Sequence, residues 1–117
     1  MKRVMIDLNV ILDVLQKRGR HFAASAQVLA KAQRGVYDGV VPAHALKIIH
    51  YITDKYSGAE VADRTVDWLL ASFEVAATGK PEFLRARSLR VKDFEDAVVA
   101  TTALAGECEM VVTRNVA

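Results

Sequence analysis

The sequence predicts an α/β protein with a central, mostly parallel sheet. Short apolar segments alternate with longer segments whose apolar residues recur at helical spacing. The first apolar segment shows no period of 3.6, as expected of a strand buried on both faces. Helices between successive strands permit parallel pairing through right-handed crossovers.

Taken in order, residues 3 to 8 (Arg-Val-Met-Ile-Asp-Leu) read as a short buried strand. Asn9 suits the N-cap of a helix carrying Val10, Ile11, Val14 and Leu15, which Lys17, Arg18, Gly19 and Arg20 close. A second helix is predicted over 21 to 34, with Phe22, Ala26, Leu29 and Ala30 on one face and Gly35 at its end. Residues 36 to 41 read as the second strand. Pro42 suits the first turn of a helix reaching about Lys55. Ser57 is then a candidate N-cap for a helix over 59 to 71, and Phe73 to Ala76 a third strand. Thr78-Gly79-Lys80-Pro81 turns into a helix through Leu89. Asp93 caps another helix to about Ala105, and Glu109 to Thr113 forms the last strand.

The 117 residues read as one domain, 1–117. A hydrophobic fraction of 52% excludes a disordered chain, and a net charge of +2 does not by itself predict nucleic-acid binding. The single cysteine, Cys108, excludes an intrachain disulfide and a cysteine-built zinc site. No apolar run approaches the ~20 residues that span a bilayer. Asp7 interrupts any signal-peptide core, so a cytoplasmic protein is expected. His21, His44 and His50 do not form a metal-binding spacing. No glycine-rich phosphate loop or nucleophile elbow occurs, which argues against a dinucleotide enzyme, an NTPase or a serine hydrolase.

The chemistry concentrates at four places. Asp7 ends an apolar strand, and ligands of parallel α/β sheets sit beyond the carboxyl ends of the strands. It is either a cap for the helix that follows or a ligand. Asp93 and Asp96, three apart, project together from a helix start, with Glu95 pointing elsewhere. They are either capping acids or partners of Asp7. Three carboxylates without histidine or cysteine suit a hard cation, Mg²⁺ or Mn²⁺, which also binds phosphate and lowers the pKa of a bound water. Thr113 and Asn115 flank Arg114 at the end of the last strand. Lys80, Arg85, Arg87, Arg90 and Lys92 face only Glu82 in their segment. They form either a solvated face or a track leading a polyanion to the acids.

Met5-Ile6-Asp7-Leu8-Asn9-Val10-Ile11-Leu12-Asp13, Asp93-Phe94-Glu95-Asp96-Ala97 and Val111-Val112-Thr113-Arg114-Asn115 together resemble the PIN domain family, the small prokaryotic VapC-like toxins in particular. The resemblance implies a three-layer α/β/α sandwich and a Mg²⁺- or Mn²⁺-dependent ribonuclease. It further implies a homodimer and, for a toxin, an antitoxin protein partner. Asp7, Asp93 and Asp96 would be the catalytic metal ligands. Thr113 and Asn115 would border the metal, Asn9 would support the turn after Asp7, and Arg114 and Lys92 would contact the RNA backbone.

The chain departs from the family at two positions. Ala45 to Ile52 carries no acid where many members have one; if Ile48 occupies its place, that side chain is expected at or near the cleft. Asn115 stands where many have Asp, which lowers the expected metal affinity. The family also continues into another helix and strand, so residues following Ala117 are expected in the native protein. The alternative function is a catalytically weak PIN-like module that binds RNA or a partner protein without cutting. A phosphorylated receiver domain fits Asp7 but finds no match in the middle strand or a late lysine. The expected dimer would use apolar surface on the helices around 21 to 34 and 43 to 55.

Overall fold

A computed structural model describes residues 2–113. Four strands form one parallel sheet in the order β3-β2-β1-β4: β1 (Arg3–Ile6), β2 (Asp38–Pro42), β3 (Glu74–Ala76) and β4 (Met110–Val112). Between β1 and β2 lie α1 (Leu8–Leu15), a 3₁₀ turn over Gly19–His21 and α2 (Phe22–Gln33). Next come α3 (Ala43–Ser57) and α4 (Ala59–Ser72). After β3 the chain forms α5 (Lys80–Ser88) and α6 (Phe94–Ala105).

The central strands β1 and β2 are buried on both faces, so they lack a polar alternation. Ile6 and Val41 pack with Leu8, Ile11, Leu29, Ile49 and Leu69 from the helices on one side. Met5 and Val40, one residue earlier in each strand, pack with Val99 and Ala103 of α6 on the other. This is the expected α/β/α sandwich. Met5 pairs in register with Val40 on one side and with Val111 on the other. The carboxyl ends of the first and last strands are therefore neighbours, as predicted.

Several boundaries move. Strand β1 ends at Ile6 because Asp7, not Asn9, is the N-cap of α1: its side chain accepts from the Asn9 N–H. Pro42 closes β2, pairing with Ala76, and stands at the N-cap position of α3. A residue ending a strand and entering a helix needs no N–H, which proline lacks. Ser57 belongs to α3. Gly58, at φ 92°, makes the corner into α4, and its N–H donates to the Asp54 carbonyl. That left-handed backbone favours glycine.

Candidate active site

Asp7 reaches the sheet's carboxyl edge because β1 delivers it there and β4 holds it. Its N–H donates to the Val112 carbonyl at 3.0 Å, and its Oδ2 accepts from the Asn9 N–H at 3.3 Å. Only 5% of the residue is exposed. A carboxylate this buried needs polar partners, and the first turn of α1 supplies one. Asn9 supports the turn with its backbone, while its side-chain oxygen accepts from Arg18 at 3.4 Å. Arg18 also pairs with fully buried Asp13, 3.7 Å away, and the Ser25 hydroxyl donates to that carboxylate at 3.0 Å. Asp13 thus ties α1 to α2.

Asp93 is the N-cap of α6, its Oδ1 accepting from the Asp96 N–H at 3.2 Å. Asp96, on the first turn, lines a cavity of about 260 Å³ together with Asp7, Thr113, Val99, Ala100 and Val111. The structure therefore brings Asp7, Asp96 and Thr113 together. Asp93 and Lys92 line a neighbouring surface groove of about 660 Å³ with Phe94 and Glu95, and Asp96 borders both spaces. Arg114 and Asn115 lie outside the described residues.

The acids feel one another. Partial desolvation, then the charges of Asp93 and Asp7, hold the Asp96 carboxyl above the ordinary range. Glu95 is shifted upward too, by desolvation and then by Asp7, Asp93 and Asp96. Glu95 thus feels the acidic pole, although it lines the groove with Asp93 and Asp96 and not the cavity with Asp7.

His44 was missed. The β1–β2 register sets the entry to α3 beside Asp7. Both ring nitrogens of His44 are buried without a hydrogen-bond partner among the described residues. Burial lowers the His44 pKa, and the charge of Asp7 opposes that shift. Ile48 follows His44 by four residues and so shares its helix face; it is 37% exposed.

Among the described residues, no three acid, histidine or cysteine side chains converge as a ready-made metal cage. Mg²⁺ and Mn²⁺ need less, because such ions are held by one or two carboxylates and keep several waters. Asp7 and Asp96 on one cavity fit that mode.

Fold and site define an α/β/α protein with an acidic cleft at the carboxyl edge of a parallel sheet. The chain belongs to the PIN domain family, whose model matches residues 3–117. No curated protein matches it in sequence. Among solved structures it is similar to Mycobacterium tuberculosis VapC20, a sarcin-ricin loop cleaving toxin. The TM-score is 0.73 at 11% identity, over 96% of this chain and 91% of that one. It is also similar to VapBC2 from Rickettsia felis, bound there to a promoter DNA fragment. That match has a TM-score of 0.68 at 18% identity, over 97% of this chain and 87% of that one. A toxin–antitoxin complex from Klebsiella pneumoniae gives 0.69 at 18%, over 96% and 86%. At these identities the shared property is the fold. No helix among the described residues is long and apolar enough to cross a membrane.

Proposed function

We propose that this chain is a Mg²⁺- or Mn²⁺-dependent endoribonuclease of the toxin type. The observation that carries the reading is the meeting of Asp7 and Asp96 on one cavity, with the Asp96 carboxyl raised in pKa by desolvation and then by the charges of Asp93 and Asp7. Two mutually repelling carboxylates at a sheet's carboxyl edge gain most from a divalent cation. Asp7 and Asp96 hold the ion, and Asp93 adds its charge from the helix cap. A bound divalent ion supplies the charge that makes water acidic and offsets charge building on the phosphoryl group. The Thr113 hydroxyl orients the phosphate, and Lys92, Arg114 and Asn115 hold the RNA strand around it.

The proposed partners are RNA, an antitoxin protein and a second copy of the chain. Structural neighbours that are toxin–antitoxin complexes support the antitoxin. Exposed Ile48, Tyr51 and Tyr56 on α3 support a contact there, whereas α2 exposes no large hydrophobic side chain. The test is cleavage of a structured RNA in Mn²⁺. Wild type cuts; EDTA and Asp7→Asn each abolish cutting. Intact RNA with wild type in Mn²⁺ overturns the reading. The second reading, a module that binds without cutting, is favoured by one observation: helix α3 presents Ile48 rather than an acid beside His44.

A further inference from the structure

We propose that Phe94 and Phe83 form a stacking platform for an unpaired RNA base beside the Asp7–Asp96 cavity, an inference resting on the RNA-acting reading above. The two rings lie nearly parallel, at 27°, with centroids 6.4 Å apart. They are 45% and 40% exposed, respectively. The rings meet across the α5–α6 junction, beside the buried cluster of Ala86, Ala97 and Val98. Each ring stands three residues before its helix's alanine in that cluster, one turn toward the helix start. Two large rings that each keep at least 40% of their surface in water at a helix junction offer an open surface to a flat apolar partner.

Charge selects the partner. Arg87 follows Phe83 by four residues and is its neighbour on α5. Lys92 shares the groove with Phe94, and Arg90 lies between Arg87 and Lys92 in the sequence; all three are exposed. Rings interleaved with cations match single-stranded nucleic acid, whose phosphates pair with the cations while bases stack on the rings. Asp93 and Glu95 flank Phe94 directly and repel phosphate, so the group that fits against that ring is the neutral base. Asp96 borders both the groove and the cavity with Asp7, so a base on Phe94 sets an adjoining phosphate toward the carboxylates. A base inside a duplex cannot reach the rings, so this surface selects unpaired RNA.

The test is binding by fluorescence anisotropy in EDTA, where cutting is suppressed. The probes are an eight-nucleotide oligouridylate and an abasic ribose-phosphate oligomer of equal length. Wild type is expected to prefer the oligouridylate by roughly five- to a hundredfold, the range of one base–aromatic stack. Phe94→Leu keeps the apolar volume, so it retains the fold in a thermal melt and the affinity for the abasic oligomer but erases the preference. Phe94→Trp keeps the preference. Equal affinity of wild type for both oligomers overturns the proposal. So does a preference that survives in Phe94→Leu; a change of solution mass in that variant would then identify the rings as a protein contact. Cutting in Mn²⁺ separates this inference from the nuclease reading. A chain that stacks bases but never cuts keeps the platform and loses the nuclease. One in which Phe94→Leu cuts at wild-type kcat/KM does the reverse, and one that binds neither oligomer in EDTA loses the platform, cutting in Mn²⁺ alone deciding the nuclease reading.

Discussion

The Asp7 N–H donates to the Val112 carbonyl, so the carboxylate ending the first strand is fastened to the last strand in the sequence. This hydrogen bond continues the β1–β4 ladder that joins the amino-terminal and carboxyl-terminal motifs. Thr113 follows Val112 directly and lines the cavity with Asp7. Asp96 reaches that cavity from the start of α6, which packs on one face of the sheet against Met5 and Val40. The three motifs, far apart in sequence, meet because β1 is central and β4 is its neighbour.

Glu95→Gln is expected to stabilise the metal-free protein at neutral pH and to leave it unchanged in acid. The Glu95 pKa is raised by desolvation and by the charges of Asp7, Asp93 and Asp96. A carboxyl with a higher pKa folded than unfolded binds more protons in the native state. Its favourable contribution is full below the ordinary glutamate range and is lost as pH rises through the raised value. Glutamine mimics the protonated form at every pH. Thermal melts in EDTA at both ends of this window check it; equal melting of the two proteins at neutral pH would count against an acidic pole that reaches Glu95.

Gly39→Ala is expected to cost about 1–3 kcal/mol, the usual range for overpacking a core. A Cβ there would stand 2.7 Å from Phe73 Cδ1 and 3.0 Å from the Ala32 Cβ. The glycine lets α2 and the end of α4 close over β2. Urea denaturation should show a lower midpoint at unchanged slope. Phe73→Leu in the same chain should recover part of the loss, because the two sites share one contact.

The sequence carried much of this arrangement in local patterns. Asp7 was legible because a lone acid ends an apolar strand. Asp93 and Asp96 were legible because an N-cap acid and a first-turn acid have a fixed spacing. The helix start was misplaced because Asp7 and Asn9 are both good caps and stand two residues apart; the strand's end at Ile6 decides between them. His44 was not legible. Its neighbour Asp7 lies on a different element, so no spacing within α3 could reveal it. Phe83 and Phe94 were equally hidden, since each looks like an ordinary amphipathic helix residue until α5 is seen against α6.

Ile48→Glu is expected to tighten Mn²⁺ binding by roughly tenfold or more, since affinity for a hard cation rises with the number of carboxylates near it. His44, one turn earlier on the same face, already feels the charge of Asp7. Position 48 is 37% exposed, so a carboxylate there retains much of its hydration. Calorimetric titration with Mn²⁺ measures the change. A folded variant with unaltered affinity would place Ile48 away from the cleft.

Mn²⁺ is expected to raise the melting temperature of wild type and to leave that of Asp7→Asn unmoved. Asp7 and Asp96 share one cavity, and desolvation, then the charges of Asp93 and Asp7, hold the Asp96 carboxyl above its ordinary range. A cation that binds only the folded state stabilises it by mass action, about 2.7 kcal/mol at a hundred times its Kd. Removing the Asp7 charge removes both the repulsion and a ligand. The Asn side chain keeps an oxygen that can accept from the Asn9 N–H, so the cap on α1 survives. The metal-free variant should therefore melt at or above the metal-free wild type. Paired melts with and without Mn²⁺ read these effects separately. A wild type that ignores Mn²⁺ would remove the metal from the site. A variant that melts far below metal-free wild type would mean that the Asp7 carboxylate serves the fold rather than a cation.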